Sequence, residues 1–232
     1  MEEKKQIGQL FDRIAGTYDR FNHVLSLNID KVWRRKAVRT MKEPAVQNVL
    51  DVAIGTGDLA LEILRQGKAI HVDGIDLSVE MMKIGEKKVA AKGLAGHISF
   101  QKASALEMPF PDGKYNAVTC GYGVRNFSDL DQGLREMCRV MKSGGQLVIL
   151  DFSYPSNRVV RYFYDLFFTH IMPLVGKLIS KDPSAYVYFR QSVKNFIWGE
   201  EMTRHIADAG FTDCRFKPMT FGISTLYTAV KP

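Results

Sequence analysis

The sequence predicts a doubly wound α/β fold on three observations. Short β-rich apolar runs alternate with helical stretches from Asn48 to Ser153. The first run ends in Asp51 and a turn containing Gly55 and Gly57, after which a helix begins, and the second run ends in an acidic residue, Asp76. Strand–helix alternation needs crossover connections, which join parallel strands and place helices on both faces of the sheet.

Before the alternation, residues 7 to 42 carry Ile7, Leu10, Phe11, Ile14, Tyr18, Phe21, Val24 and Leu25 at steps of three and four. That spacing marks one helical face, so a helix pair acting as a lid is expected over residues 1–45. The strand candidates are NVLDVA, IHVDGIDL, HISFQKA, YNAVTCGYG and QLVILDFS, with the helices DLALEILRQG and SVEMMKIGEKKVAAKG among those between them. Residues 154–198 interrupt the rhythm: ten of the chain's 25 aromatic residues fall in the 37 positions from Tyr162 to Trp198. A helical insertion is expected there, and both an apolar partner and plain packing on the sheet fit such a segment. The chain closes with a helix, EEMTRHIADAGF, and two strands, CRFKPM and STLYTAVK.

The 232 residues, 46% hydrophobic and 25% charged, fit one domain spanning 1–232. Lys and Arg number 32 against 25 Asp and Glu, a net charge of +7. This admits nucleic acid, an anionic membrane surface or an acidic ligand, and equally a basic protein with none of them. Cys120, Cys138 and Cys214 include no C-x-x-C pair, and the five histidines have no ligand spacing, so neither a metal site nor a disulfide framework is expected. The opening MEEKKQIGQLFDRIAG puts charges where a secretion signal is apolar, which points to the cytoplasm. The most apolar stretch, Phe167 to Ile179, has 13 residues, whereas a bilayer needs about 20.

The strongest local signal is VLDVAIGTGDLA, in which glycines let the backbone approach a ligand at the carboxyl edge of a sheet. Asp76 follows Gly57 by 19 residues, and a carboxylate at the end of the next strand can accept both hydroxyls of a ribose. An adenosine-containing cofactor is therefore expected. Gly55, Gly57 and Ala60 also satisfy the G-x-G-x-x-A dinucleotide fingerprint. Against a dehydrogenase, Val52, Ala53 and Ile54 separate the strand's Asp51 from the first glycine, and the one Tyr-x-x-x-Lys match, Tyr227 to Lys231, lies in strand-like sequence.

V-L-D-V-A-x-G-x-G, an acidic end to the second strand, and Ser104 before A-x-x-x-P-F resemble Rossmann-like, class I S-adenosylmethionine-dependent methyltransferases. Two further stretches resemble the ubiquinone/menaquinone biosynthesis C-methyltransferases. FDRIAGTYDRFNHVLSLNIDKVW is similar to Y-D-x-M-N-x-x-L-S-x-x-x-H-x-x-W through Tyr18, Asp19, Asn22, Leu25, Ser26 and Trp33, departing at Phe21 and at Asp30, where the family has Met and His. RVMKSGGQLVILDFS is similar to R-V-x-K-P-G-G-x-x-x-x-x-E-x-S, with Ser143 for Pro and Asp151 for Glu, and GYGVRNFSD resembles the family's F-G-x-R-N segment. The likeness runs from Phe11 to Lys231.

This resemblance implies a methyl transfer from S-adenosylmethionine, leaving S-adenosylhomocysteine, to a ring carbon of a polyprenyl hydroquinol, with no metal. It places Asp51, Gly55, Thr56, Gly57, Asp76, Leu77, Ser104, Ala105 and Gly121 around the cofactor. Arg125 and Asn126 are expected to hold the quinol oxygens, and Tyr18 to close over the methyl donor. A salt bridge from Arg125 to Asp129 or Asp151 is the competing expectation. His170 is a candidate base, and the basic run WRRKAVR and the stretch Tyr162 to Ile179 are candidates for peripheral contact with an anionic membrane. Demethylmenaquinol is the expected substrate, with a benzoquinol precursor of ubiquinone, or RNA or another small molecule, as the alternatives. No nucleic-acid partner is expected, since GYGVRN replaces the tetrad used for base-amine methylation. A non-catalytic cofactor-binding scaffold and a homo-oligomer remain compatible with the sequence.

Overall fold

The computed structural model describes residues 2–42, 48–172 and 183–232. Residues 43–45 of the expected lid, and the part of the Phe167–Ile179 stretch beyond Met172, lie outside the described residues. The chain opens with α1 (Glu2–Leu25) and α2 (Ile29–Arg39) and then alternates through β1 (Asn48–Val52), α3 (Asp58–Arg65), β2 (His71–Asp76), α4 (Val79–Ala91), β3 (Ile98–Lys102) and β4 (Tyr115–Gly121). A 3-10 turn at Val124–Asn126, α5 (Leu130–Val140) and β5 (Met141–Phe152) follow. After the insertion helices α6 (Arg158–Leu166) and α7 (Pro183–Asn195) come α8 (Glu200–Asp208), β6 (Thr212–Met219) and β7 (Ser224–Val230).

The seven strands lie in the order β3-β2-β1-β4-β5-β7-β6, with β7 antiparallel to both of its neighbours and the other pairs parallel. This is the doubly wound sheet read from the alternation, closed by an antiparallel pair. The pleat divides the core in two. Val49 joins Trp33, Val38, Ile63 and Val148 on the face covered by α2, α3 and α4. Leu50 joins Val118, Leu134, Met137, Ile149 and Met202 on the face covered by α5 and α8. Helix α5 was not identified individually from the sequence, although its signals are present: Asp129 caps it by accepting the Gln132 N–H at 2.9 Å, and Leu134, Met137 and Val140 are buried.

Helix α1 packs along α4, where Asp12 Oδ1 accepts from the Ser78 hydroxyl at 2.6 Å and from the Glu80 N–H at 3.1 Å. In α2, Trp33 is buried and donates its indole N–H to Thr220 Oγ1 at 2.8 Å. The aromatic insertion has two sides. Tyr164, Phe168 and Phe189 are buried, with Phe168 stacked on both of the others at centroid distances of 4.3 and 5.9 Å. Outward, α6 exposes Val159, Tyr162, Phe163 and Leu166, at 64%, 65%, 61% and 42%. One side of the segment thus packs on the sheet, and the other is exposed apolar surface.

Candidate functional site

A cleft of about 790 Å³, partly open to solvent, runs along the carboxyl edge of the parallel strands. Ala53 follows β1 at φ 57° and Tyr122 follows β4 at φ 62°, a left-handed conformation that side chains rarely adopt and that recurs at functional sites. Gly55 and Gly57 also take positive φ, and a Cβ on Gly123 would come within 2.6 Å of Ala53 Cβ. The turns can pass this close only because Gly123 has no side chain.

Of the residues singled out in the sequence, Tyr18, Gly55, Asp76, Leu77, Ser104, Ala105, Gly121 and Asn126 line this cleft. Asp76 Oδ2 accepts the Gly55 N–H and Oδ1 the Ser78 N–H, both at 2.8 Å. The carboxylate keeps acceptor capacity beyond these bonds. Burial pushes the Asp76 pKa above the ordinary carboxylate value despite these bonds. Ser104 Oγ accepts the Leu106 N–H at 3.1 Å, bending the chain along one wall. Gly57 sits behind the loop as the cap of α3.

Asp51 and Thr56 line a second, adjoining cavity of about 470 Å³ that shares Tyr18, Ala53, Gly55, Gly121 and Tyr122 with the cleft. Asp51 is 1% exposed and accepts from the Thr119 hydroxyl at 2.7 Å. Burial pushes its pKa up to about 7, while the Thr119 bond acts the other way. An unfolded chain ionises this group near pH 4, so between about pH 4 and pH 7 the native state holds a proton that the unfolded state lacks. Stability therefore falls as pH rises through that window and levels off above it. Asp51→Asn is expected to gain about 2 kcal/mol more in unfolding free energy at pH 8 than at pH 5, measured by urea denaturation. An equal change at both pH values would contradict this assignment.

The wall of the second cavity is a charge network that the sequence reading missed. Lys88 of α4 donates to Asp19 of α1 at 2.8 Å, to Asp58 of α3 at 2.6 Å and to the Thr56 hydroxyl at 3.0 Å, and Thr56 in turn donates to Asp19 at 2.6 Å. Arg34 of α2 bridges Asp58 at 3.0 Å and Asp30 at 2.8 Å. Burial would raise the Asp58 pKa, but Arg34 and Lys88 hold it below the ordinary value. The network ties both leading helices to the glycine loop. At the Asp30 departure from the family signature, Asp30 is buried and meets His23 Nδ1 at 2.9 Å and the Ser26 hydroxyl at 2.5 Å. Arg34 is therefore internal, and of WRRKAVR only Arg35, Lys36 and Arg39 face outward.

Arg125 does not line the cleft. Its side chain is 3% exposed, with Nη1 donating to Asp151 Oδ1 at 2.7 Å and to the Tyr122 carbonyl at 2.5 Å, and its guanidinium lies 5.3 Å from the ring centroids of both Phe152 and Phe189. The competing salt bridge to Asp151 is thus formed, and the expected direct access of Arg125 to the cleft is corrected to a buried place against Asp151 and the Tyr122 carbonyl. Burial works against its charge, yet Asp151, helped by Tyr18, leaves the Arg125 pKa above its ordinary value. It is a fixed cation rather than a base. Burial likewise raises the Tyr18 phenol, partly offset by Arg125, so this hydroxyl keeps its proton at neutral pH. His170 is exposed and outside the cleft.

Among the described residues, the Tyr122 hydroxyl and Arg125 Nε are buried without a hydrogen-bond partner, and no group of three or more His, Cys, Asp or Glu could hold a metal ion. Tyr122 lines both cavities. A cleft with a carboxylate of spare acceptor capacity, continuous with a smaller cavity lined by charged groups, suits a nucleoside that carries a charged tail.

The ubiE/COQ5 methyltransferase family model matches residues 1–231. The chain belongs to this family. It is 43% identical over 230 residues to a demethylmenaquinone methyltransferase of Bacteroides fragilis, covering 99% of this chain and 94% of the relative. It is 42% identical to the ubiquinone/menaquinone biosynthesis C-methyltransferase UbiE of Geotalea daltonii, covering 99% and 98%. A solved SAM-dependent methyltransferase from Thermotoga maritima shares the fold at TM-score 0.68 and 16% identity, covering 97% of this chain and 99% of that one. As a ubiE/COQ5-family methyltransferase, the chain has the S-adenosylmethionine-dependent class I architecture that the resemblance of its motifs implied.

Proposed function

We propose that this enzyme transfers the methyl group of S-adenosylmethionine to a ring carbon of demethylmenaquinol, forming menaquinol. The observation that carries the reading is that Asn126 and Tyr18 line the same cleft as Gly55, Asp76, Ser104 and Ala105. Polar groups suited to a quinol thus face the nucleoside-binding wall. The names of the relatives from Bacteroides fragilis and Geotalea daltonii support the quinol class.

S-adenosylmethionine, when bound, supplies an electrophilic methyl group. Asp76 would accept the ribose hydroxyls, Ser104 and Ala105 would flank the adenine with Leu77 and Gly121 on the same cleft wall, and Gly55, Thr56, Gly57 and Asp51 would hold the methionine portion. A ring carbon attacks only when the ring is electron-rich, which a quinol becomes on losing a hydroxyl proton. A phenol pKa near 10 means that the site must stabilise the phenolate. Asn126 donates to that oxygen, and Arg125 lends its fixed positive charge from its buried place. Tyr18, held protonated on α1, covers the donor, and holding both reactants in attack geometry can contribute about 7–11 kcal/mol.

Incubation with S-adenosylmethionine and, separately, a short-chain demethylmenaquinol, a methoxy-benzoquinol and bulk RNA tests the substrate. Methylated naphthoquinol as the main product is expected. A methylated benzoquinol would move the enzyme to the ubiquinone branch, which the UbiE relative's name also supports, and methylated RNA would overturn the quinol reading. The uncovered α6 face, next to the exposed Arg158, supports peripheral contact with anionic lipid, by which the enzyme reaches a membrane-dissolved tail. No helix among the described residues is long and apolar enough to cross a membrane. Flotation with anionic vesicles at low salt should carry the protein, and its absence from the vesicle fraction would remove the contact.

A further inference from the structure

The polarity of Asn126 is set by two neighbours. Its Nδ2 lies 3.5 Å from the Tyr122 carbonyl, which can only accept, and its Oδ1 lies 2.8 Å from the Tyr188 hydroxyl, which donates to it. The reversed amide would bring two oxygens together at Tyr122. With Oδ1 committed to Tyr188, the amide offers the cleft its N–H, the polarity that a phenolate oxygen needs. Tyr188 itself comes from α7, on the far side of the insertion, and does not line the cleft. Its ring stands edge-on to Phe11 of α1 at a centroid distance of 6.5 Å, and Phe11 in turn stands edge-on to Tyr18 at 5.9 Å. One side chain therefore joins the lid helix, the insertion and the turn after β4.

We propose that Tyr188 is a positioning residue for methyl transfer: its hydroxyl orients Asn126 so that the amide N–H faces the quinol oxygen. The proposal rests on the reading of Asn126 as a quinol contact. It also makes the donor polarity of the site depend on the docking of α7, so that the amide is correctly turned only when the insertion is in place.

Tyr188→Phe keeps the ring on Phe11 and removes only the hydroxyl. The expected result is a kcat about tenfold lower on short-chain demethylmenaquinol, an unchanged Kd for S-adenosylmethionine, and a rising limb of the kcat–pH profile displaced to higher pH, because the phenolate is less well stabilised. In an Asn126→Ala background the same change should cost less than about twofold, since the group being oriented is gone. An equal cost in both backgrounds, or wild-type kcat with an unmoved pH profile, would overturn the role of Tyr188. Full turnover by Asn126→Ala alone would instead remove the Asn126 reading, and this proposal with it.

Discussion

Arg125→Ala is expected to lower kcat about 100-fold or more while leaving the Kd for S-adenosylmethionine within about threefold of wild type. The size follows from losing a buried, fixed cation beside a developing phenolate, an electrostatic contribution of the kind worth 10²–10³ in rate. The split between kcat and Kd follows from position, because Arg125 lines neither cavity. The change also leaves Asp151 buried without its partner, and breaking such a pair costs about 3–5 kcal/mol of stability. Turnover must therefore be referred to the number of cofactor-binding sites measured in the same sample. Arg125→Lys keeps a charge but loses the planar guanidinium that lies against Phe152 and Phe189, so it should recover stability better than rate. Wild-type turnover per binding site in Arg125→Ala would remove the residue from the mechanism.

Asp76→Ala carries the second large effect, and it falls on binding. Charge-assisted bonds from a carboxylate to two ribose hydroxyls, in a site where burial already disfavours the charge, support a loss of affinity for S-adenosylmethionine of about 100-fold. The substitution also frees the Gly55 and Ser78 N–H groups, so part of the loss comes from a looser glycine loop. Asp76→Asn, which keeps the shape and one acceptor oxygen, should fall between the two. Calorimetric titration with S-adenosylhomocysteine measures all three, and an unchanged Kd in Asp76→Ala would exclude the carboxylate as the ribose acceptor.

What was readable in the chain was whatever local sequence controls. The first strand, its glycine turn and the following helix are set by period and by residues that tolerate positive φ, and they lie where the pattern put them. Asp76 and the Ser104–Ala105 pair share a wall because parallel strands bring their carboxyl ends to one edge. The Lys88 network joins positions 19, 58 and 88 on three helices, and no spacing along the chain signals such a meeting. The Tyr188–Asn126 bond spans 62 residues, so the sequence could give the aromatic density of the insertion but not which ring turns inward. Arg125 is intermediate: its place at the end of β4 was legible and Asp151 was named as a rival partner. Which of the two it faces is decided by the alignment of β5 against β4, which brings Cys120 opposite Ile149 and sets Asp151 beside the turn. The same pairing begins earlier than the apolar run suggests, at Met141, with a register shift between Tyr115 and Ala117 that shape alone does not announce in sequence.

The central claim is that a deprotonated quinol ring is the nucleophile. Its most direct test is transfer of labelled methyl from S-adenosylmethionine to short-chain demethylmenaquinol kept reduced by dithionite, compared with the same molecule as the oxidised quinone. The account predicts label in the reduced ring alone, because only the quinol has a hydroxyl proton to lose. Equal labelling of the quinone, or no label in either despite tight cofactor binding, would contradict it.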